Sequence, residues 1–152
     1  MEIRPITAAD LPNILPLAKQ MHEETEFRRL EWAEDKVKAF IGTLIKSPNH
    51  IGMVALDKGE MIGFVAGVKM EHFFSNERLA KDLGLYVRLD KRGSRAAYKL
   101  MDAFVEWVES SEPSVSALVV QVSTGGENMK SANRFFAHWG MEEIGGSFRR
   151  FI

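Results

Sequence analysis

Apolar positions along this chain follow two spacings, and the switches between them mark its elements. Leu11, Ile14, Leu15, Ala18 and Met21 recur every three or four residues, the period of a helix with one face on a core. Ile3 to Ile6 reads as a short strand before it, and Thr7 or Asp10 can cap the helix. Pro12 fits a first turn, whereas Pro16 should bend the helix interior. Glu23 to Glu31 is highly charged and reads as a loop or a broken helix. A second helix is predicted from about Trp32 to Lys46, with Val37, Phe40, Ile41 and Leu44 on its apolar side. After the Ser47-Pro48-Asn49 turn, Ile51 to Leu56 and Met61 to Met70 read as strands, with Asp57-Lys58-Gly59-Glu60 as a hairpin signal. His72 to Ala80 reads as a connection and Leu85 to Leu89 as the next strand. Gly93 to Ser110 returns to helical spacing, with Ala97, Leu100, Met101, Phe104 and Val108 inward. Val115 to Val122 is a nearly continuous apolar run, which predicts a central strand buried on both faces. Asn128 to Trp139 is a last helix, ended by Gly140 as a left-handed cap. A strand pair is expected around Met141 to Ile152, broken at Gly145-Gly146. The order is β-α-α-β-β-β-α-β-α-β, an α/β chain with a mixed sheet and helices on both faces.

The chain has 152 residues, which suits one domain over 1–152 with a substantial core. Its net charge of -1 argues against bulk nucleic-acid binding, which shows as a positive excess. It has no cysteine, so disulfides, thiolate metal sites and cysteine nucleophiles are excluded, and a reducing cytoplasm is the expected compartment. No secretory signal and no run of ~20 apolar residues suggests export or a membrane span. No His/Asp/Glu spacing makes a metal site.

The stretch richest in chemistry is Leu85 to Ala97: a short apolar strand, a basic turn and the start of an amphipathic helix. Such a junction points backbone N–H groups at one spot, at the positive end of a helix dipole. The spot suits a phosphate or pyrophosphate. Arg88, Lys91, Arg92 and Arg95 add charge, while Gly93, Ala96 and Ala97 allow close backbone approach. Three motifs together carry a family resemblance. Arg92-Gly93-Ser94-Arg95-Ala96-Ala97 is similar to the acetyl-CoA signature Gln/Arg-x-x-Gly-x-Gly/Ala, with Arg95 where glycine is usual. Ala117 to Val122 is an apolar strand followed by Ser123-Thr124-Gly125. Ala132 to Met141 is similar to Ala-x-x-Phe-Tyr-x-x-x-Gly-Phe. In this order and spacing the chain resembles the GNAT superfamily of N-acetyltransferases over essentially its whole length.

The resemblance implies a mixed, mostly antiparallel central sheet of six to seven strands. It also implies acetyl-CoA as cofactor and a primary amine of a small molecule or protein as acceptor, attacked directly in a ternary complex. The pantetheine arm would pair with Leu85-Tyr86-Val87, and the Val87 N–H would polarise the thioester carbonyl. The pyrophosphate would sit over Arg92, Gly93, Ser94, Arg95, Ala96 and Ala97. An asparagine near the last helix start often contacts the cofactor arm, which makes Asn128 a candidate, although capping alone would explain it. Phe136 stands where the family often has a tyrosine that protonates the leaving thiolate; it would pack near the sulfur without a proton to give. Tyr86 is a substitute acid unless alternation buries it.

An amine with a pKa of about 10.4 must lose a proton before it attacks. Glu71, His72, Glu77 and Asp82 are the candidate bases, with Glu77 favoured and a Ser75-Asn76-Glu77 helix cap as its plain structural reading. Glu23, Glu24, Glu26 and Glu31 could draw a cationic acceptor, although a solvated loop partly neutralised by Arg28 and Arg29 explains them too. Phe135, Phe136 and Trp139 read as core rather than as a substrate-binding cage. A non-catalytic acyl-CoA-binding regulatory domain is the alternative that Phe136 suggests, and a nucleic-acid module using the basic turn is a third. Neither nucleic acid nor membrane is expected as a partner. A homodimer stays open, though the end at Phe151-Ile152 leaves little room for a swapped arm.

Overall fold

The computed structural model describes residues 1–124 and 128–152. They fall into two compact units, Met1–Gln121 and Val122–Ile152.

The first unit carries the sheet. Strand β1 (Glu2–Pro5) leads through a 3-10 turn into α1 (Leu11–Glu24), and α2 (Glu34–Lys46) follows. Strands β2 (His50–Asp57), β3 (Glu60–Glu71) and β4 (Arg78–Val87) form an antiparallel meander. Helix α3 (Ala96–Glu109) then crosses to β5 (Ala117–Val119), which lies parallel to β4. Among the described residues the sheet has five strands in chain order, not the six to seven expected.

Asp10 fixes the entry to α1. Its carboxylate accepts the Thr7 N–H and hydroxyl, both at 2.8 Å, as the capping spacing predicts. It also takes both ends of the Arg4 guanidinium, at 2.7 and 2.8 Å. Pro12 sits in the first turn, and α1 continues through Pro16 and on to Glu24, so the region expected from Glu23 as a loop or a broken helix leaves the helix two residues later, at Thr25.

Helices cover both faces. Ile14 and Leu17 of α1 and Ile41 and Leu44 of α2 pack on Val54, Phe64, Ala66 and Tyr86. Leu100 and Phe104 of α3, fully buried, lie over the other face, where Gly63 and Gly67 of β3 leave room for them. A β-carbon at Gly63 would stand 3.3 Å from Leu100, and one at Gly67 would stand 2.8 Å from Cζ of Phe104.

Two expected strands differ. The apolar run from Val115 forms only the three residues of β5, with Ala117 exposed and Leu118 and Val119 half-buried. Buried on both faces it is not, because among the described residues it is an edge strand paired with β4 alone.

In the second unit, α4 (Met129–Phe136) passes into a 3-10 turn that ends at Gly140, left-handed at φ 70° as its position predicted. Phe135 meets Phe136 and Trp139 edge-on, each at 5.0 Å between ring centres. These rings are half-buried, not core. Residues 141–152 form no strand pair, and Ile144, Phe148 and Ile152 are exposed. Gly125, expected after the apolar run, lies outside the described residues.

Candidate functional site

The site begins with an interruption of the sheet. Strand β5 pairs with β4 only from Leu79 to Lys81. Beyond that, the Gln121 N–H no longer meets main chain; it donates to the Asp82 carboxylate at 2.9 Å. A register shift opposite Ala66 and Gly67 bulges β4 at the same place. The rest of β4, through Val87, therefore keeps β3 on one side and, among the described residues, has no partner strand on the other.

Hydrogen-bond parity shows which groups face that bare edge. The Arg88 N–H donates back to Ile62 at 2.9 Å, so it points at β3. Alternate residues of an antiparallel strand face the same neighbour. Tyr86 therefore also bonds to β3, while the main chain of Leu85 and Val87 points outward. The edge then runs into the turn. Gly93 adopts φ 81°, a conformation that favours glycine. Arg95 occupies the N-cap position of α3, which starts at Ala96 rather than Gly93. The Ser94 hydroxyl accepts the Ala96 N–H at 3.3 Å. The N–H groups of Gly93, Arg95 and Ala97 have no partner among the described residues. Three donors at a helix start, the outward main chain of Leu85 and the Val87 N–H thus form one strip of unpaired backbone among the described residues.

Side chains depart from the sequence expectations in four places. Ala96 is fully buried, so its methyl serves packing and not ligand approach. Arg92 does not project outward. Its Nε donates to the Val87 carbonyl at 3.0 Å, its Nη2 to Glu24, and its guanidinium lies 5.5 Å from the Tyr86 ring centre. Tyr86 is buried on the α1 face, and its hydroxyl donates to Glu24 at 2.7 Å. Burial and the Glu24 carboxylate push that phenol up to about 12. A phenol of that pKa is a weak acid toward a thiolate near 8.5, so Tyr86 is a poor substitute proton donor. Burial alone would lift Glu24, but its bonds from Tyr86 and Arg92 prevail and hold it below the usual carboxylate range.

The fourth departure is Glu77. It lies before the first residue of β4, ten positions from Val87, about 30 Å along a strand. Its Oε1 accepts the Ser116 hydroxyl at 3.2 Å. No helix follows Ser75 as its capping reading required; Ser75 instead accepts the Glu77 N–H at 3.1 Å ahead of the strand. Glu71 and His72 share this end of the sheet and line a pocket of about 580 Å³ with Phe73, Phe74, Ser75 and Asn76. The structure therefore does not bring Glu77, Glu71 or His72 to Val87. Asp82 is the one candidate base on the separated stretch of β4, five positions from Val87. Burial raises its carboxyl to about 6 against the Gln121 hydrogen bond.

Asn128 stands at the N-cap position of α4, but its side chain makes no cap. It donates to the Thr124 carbonyl at 3.0 Å. Phe136 ends α4. No group of residues suited to a metal ion occurs among the described residues. Nor does any helix long and apolar enough to cross a membrane.

Sequence reasoning weighed Glu24 as one of a group of acidic residues that could draw a cationic acceptor or form a solvated loop, not as a partner of Tyr86 and Arg92. A signal was available: Gln20 and Glu24 extend the face of Leu17 and Met21 by helical spacing, so polar groups occupy core-facing positions.

Comparison with known proteins agrees with this geometry. The family model described as Acetyltransferase (GNAT) family matches residues 15–141. Among solved structures, AAC(6')-Iy in complex with the bisubstrate analogue CoA-S-monomethyl-acetylneamine superposes with a TM-score of 0.75 at 18% identity, covering 99% of this chain and 97% of that one. The ribosomal-protein-alanine N-acetyltransferase of Brucella melitensis biovar Abortus 2308 gives 0.70 at 18% identity, covering 100% of both chains. An aminoglycoside acetyltransferase from an uncultured soil metagenomic sample, solved with sisomicin, gives 0.70 at 18% identity over 99% of this chain and 95% of that one. At such identities the likeness is one of fold. No curated protein sequence matches significantly. With its family model spanning the bare edge of β4, the turn and α3, the chain belongs to the acetyltransferase (GNAT) family.

Proposed function

We propose that this chain is an acetyl-CoA-dependent N-acetyltransferase that acetylates a primary amine of a small molecule or a protein by direct attack in a ternary complex. The observation that carries this reading is the strip of unpaired backbone from the Leu85 main chain and the Val87 N–H into the Gly93–Ala97 turn. It fits coenzyme A. A pantetheine arm carries amides that a bare strand edge can pair with, and a pyrophosphate matches free N–H groups at a helix start. Acetyl-CoA supplies the thioester whose acetyl group is transferred. Leu85 and Val87 would hold the arm, and the N–H groups of Gly93, Arg95 and Ala97 would hold the pyrophosphate.

The chain's own work is then polarisation, orientation and proton removal. The Val87 N–H is the donor for the carbonyl, and orientation of two reactants can remove roughly 7–11 kcal/mol of barrier. Asp82 takes the acceptor's proton through water, since about 15 Å of strand separates it from Val87. Phe136 and Tyr86 leave the thiolate to be protonated by solvent. The named relatives acting on aminoglycosides and ribosomal protein set the acceptors to try first.

The test combines calorimetric titration of acetyl-CoA with thiol release over a panel of aminoglycosides, polyamines and peptide N-termini. Binding that Gly93→Val weakens tenfold or more, with turnover of one amine class, is the expected result. Binding without turnover over the whole panel would favour a regulatory acyl-CoA domain. Absence of binding would end the proposal.

A further inference from the structure

Phosphate contact is the role expected of Arg92, yet its guanidinium is spent elsewhere. One nitrogen meets the Val87 carbonyl, another meets Glu24, and the plane lies near the Tyr86 ring. Glu24 in turn holds the Tyr86 hydroxyl at 2.7 Å. The end of α1 is thereby tied to β4 and to the turn, across sequence separations of 62 and 68 residues. All these ties converge next to Val87. On the β3 side the peptide unit that follows Val87 is held by the ladder, through the Arg88 N–H and the Ile62 carbonyl. On the other side no strand is present among the described residues, and the Arg92 Nε occupies the hydrogen-bond position on the Val87 carbonyl that a neighbouring strand would fill.

We propose that Arg92 and Glu24 are positioning residues for Val87: Arg92 fixes the Val87 main chain at the bare edge, Glu24 fixes Arg92, and neither is spent on phosphate. The proposal rests on the acetyl-transfer reading, in which the Val87 N–H polarises the thioester. A donor of this kind works by being aimed in advance, so a support that holds its residue still contributes to turnover without contributing to binding. Geometry matters more than charge here. Arg spans two acceptors and an aromatic face at once, which a lysine ammonium cannot reproduce.

Arg92→Met, Arg92→Lys and Glu24→Gln, each in the full chain, test this with three readouts. In the free protein, amide exchange at Arg88, whose N–H belongs to the same peptide unit as the Val87 carbonyl and is bonded to Ile62, should quicken tenfold or more in both Arg92 variants and by less in Glu24→Gln. The acetyl-CoA dissociation constant should stay within threefold of wild type. With an accepted amine, kcat should fall tenfold or more while the acceptor KM stays within threefold. Arg92→Lys should resemble Arg92→Met. Coenzyme binding weakened tenfold with unchanged Arg88 exchange would make Arg92 a phosphate ligand and overturn the proposal. Wild-type Arg88 exchange in all three variants would overturn it as well. A wild-type protein that neither binds nor turns over acetyl-CoA would defeat the functional reading, while the exchange data would still decide whether Arg92 and Glu24 hold Val87. Circular dichroism checks the fold, and if Arg92→Met unfolds, Arg92→Lys and Glu24→Gln carry the test.

Discussion

Burial lifts the Asp82 carboxyl to about 6, against the pull of main-chain hydrogen bonds. At neutral pH it is mostly ionised yet close enough to its pKa to accept a proton, which suits a base working near pH 7. Asp82→Asn removes that capacity but keeps an oxygen for the Gln121 N–H. The expected outcome is a kcat reduced by about 10²-fold or more, with the acid limb near pH 6 gone from the pH–rate profile. A mutant that keeps both the rate and the limb would show that another group takes the proton. Glu77, favoured by sequence proximity, illustrates the limit of that criterion. Residues close in number on a strand are far apart in space, because a strand rises by about 3.3 Å per residue.

At the scale of elements, the approach of α3 to the sheet depends on absent side chains. Gly67 faces the Phe104 ring, and a methyl there would overlap it. Gly67→Ala should cost about 1–3 kcal/mol, the usual range for overpacking a filled core, read as a lower midpoint in urea unfolding. A midpoint equal to wild type would mean that α3 shifts freely on β3. The β2–β3 hairpin, the α3 helix and the Gly140 stop were all legible in sequence, since each is set by local chemistry: turn residues, helical spacing and a left-handed cap. The length of β5 was not. An apolar run states a preference for extended chain, but a strand exists only where partner backbone is available, and beyond Lys81 none is.

For the molecule as a whole, two carboxylates act on stability in opposite senses. Asp10 is held below the usual range, mainly by the Arg4 bond against the opposing effect of burial, so the stability it gives is present at neutral pH and lost as pH falls through its ordinary range and below. Asp82 is raised, so the folded state holds its proton longer than the unfolded chain does. Stability should therefore decline as pH rises from about 4 to about 6, by roughly 2–3 kcal/mol at most. Thermal melts check both signs: Asp82→Asn should raise Tm at pH 7.5 and leave it nearly unchanged at pH 4, while Asp10→Asn should lower it at pH 7.5. Equal effects of Asp82→Asn at the two pH values would contradict the assignment. By itself the sequence determined the class of fold, the strand-turn-helix at Leu85 to Ala97 and the family, because periodicity, turn chemistry and motif spacing are local or ordered along the chain. Only the tertiary structure decided that Glu24 and Arg92 meet at Tyr86 and Val87, that Asp82 stands where β4 loses its partner, and that Glu77 is remote. Those are facts of long-range packing, in which residues 62 to 68 positions apart become neighbours through the register of a sheet and the face of a helix.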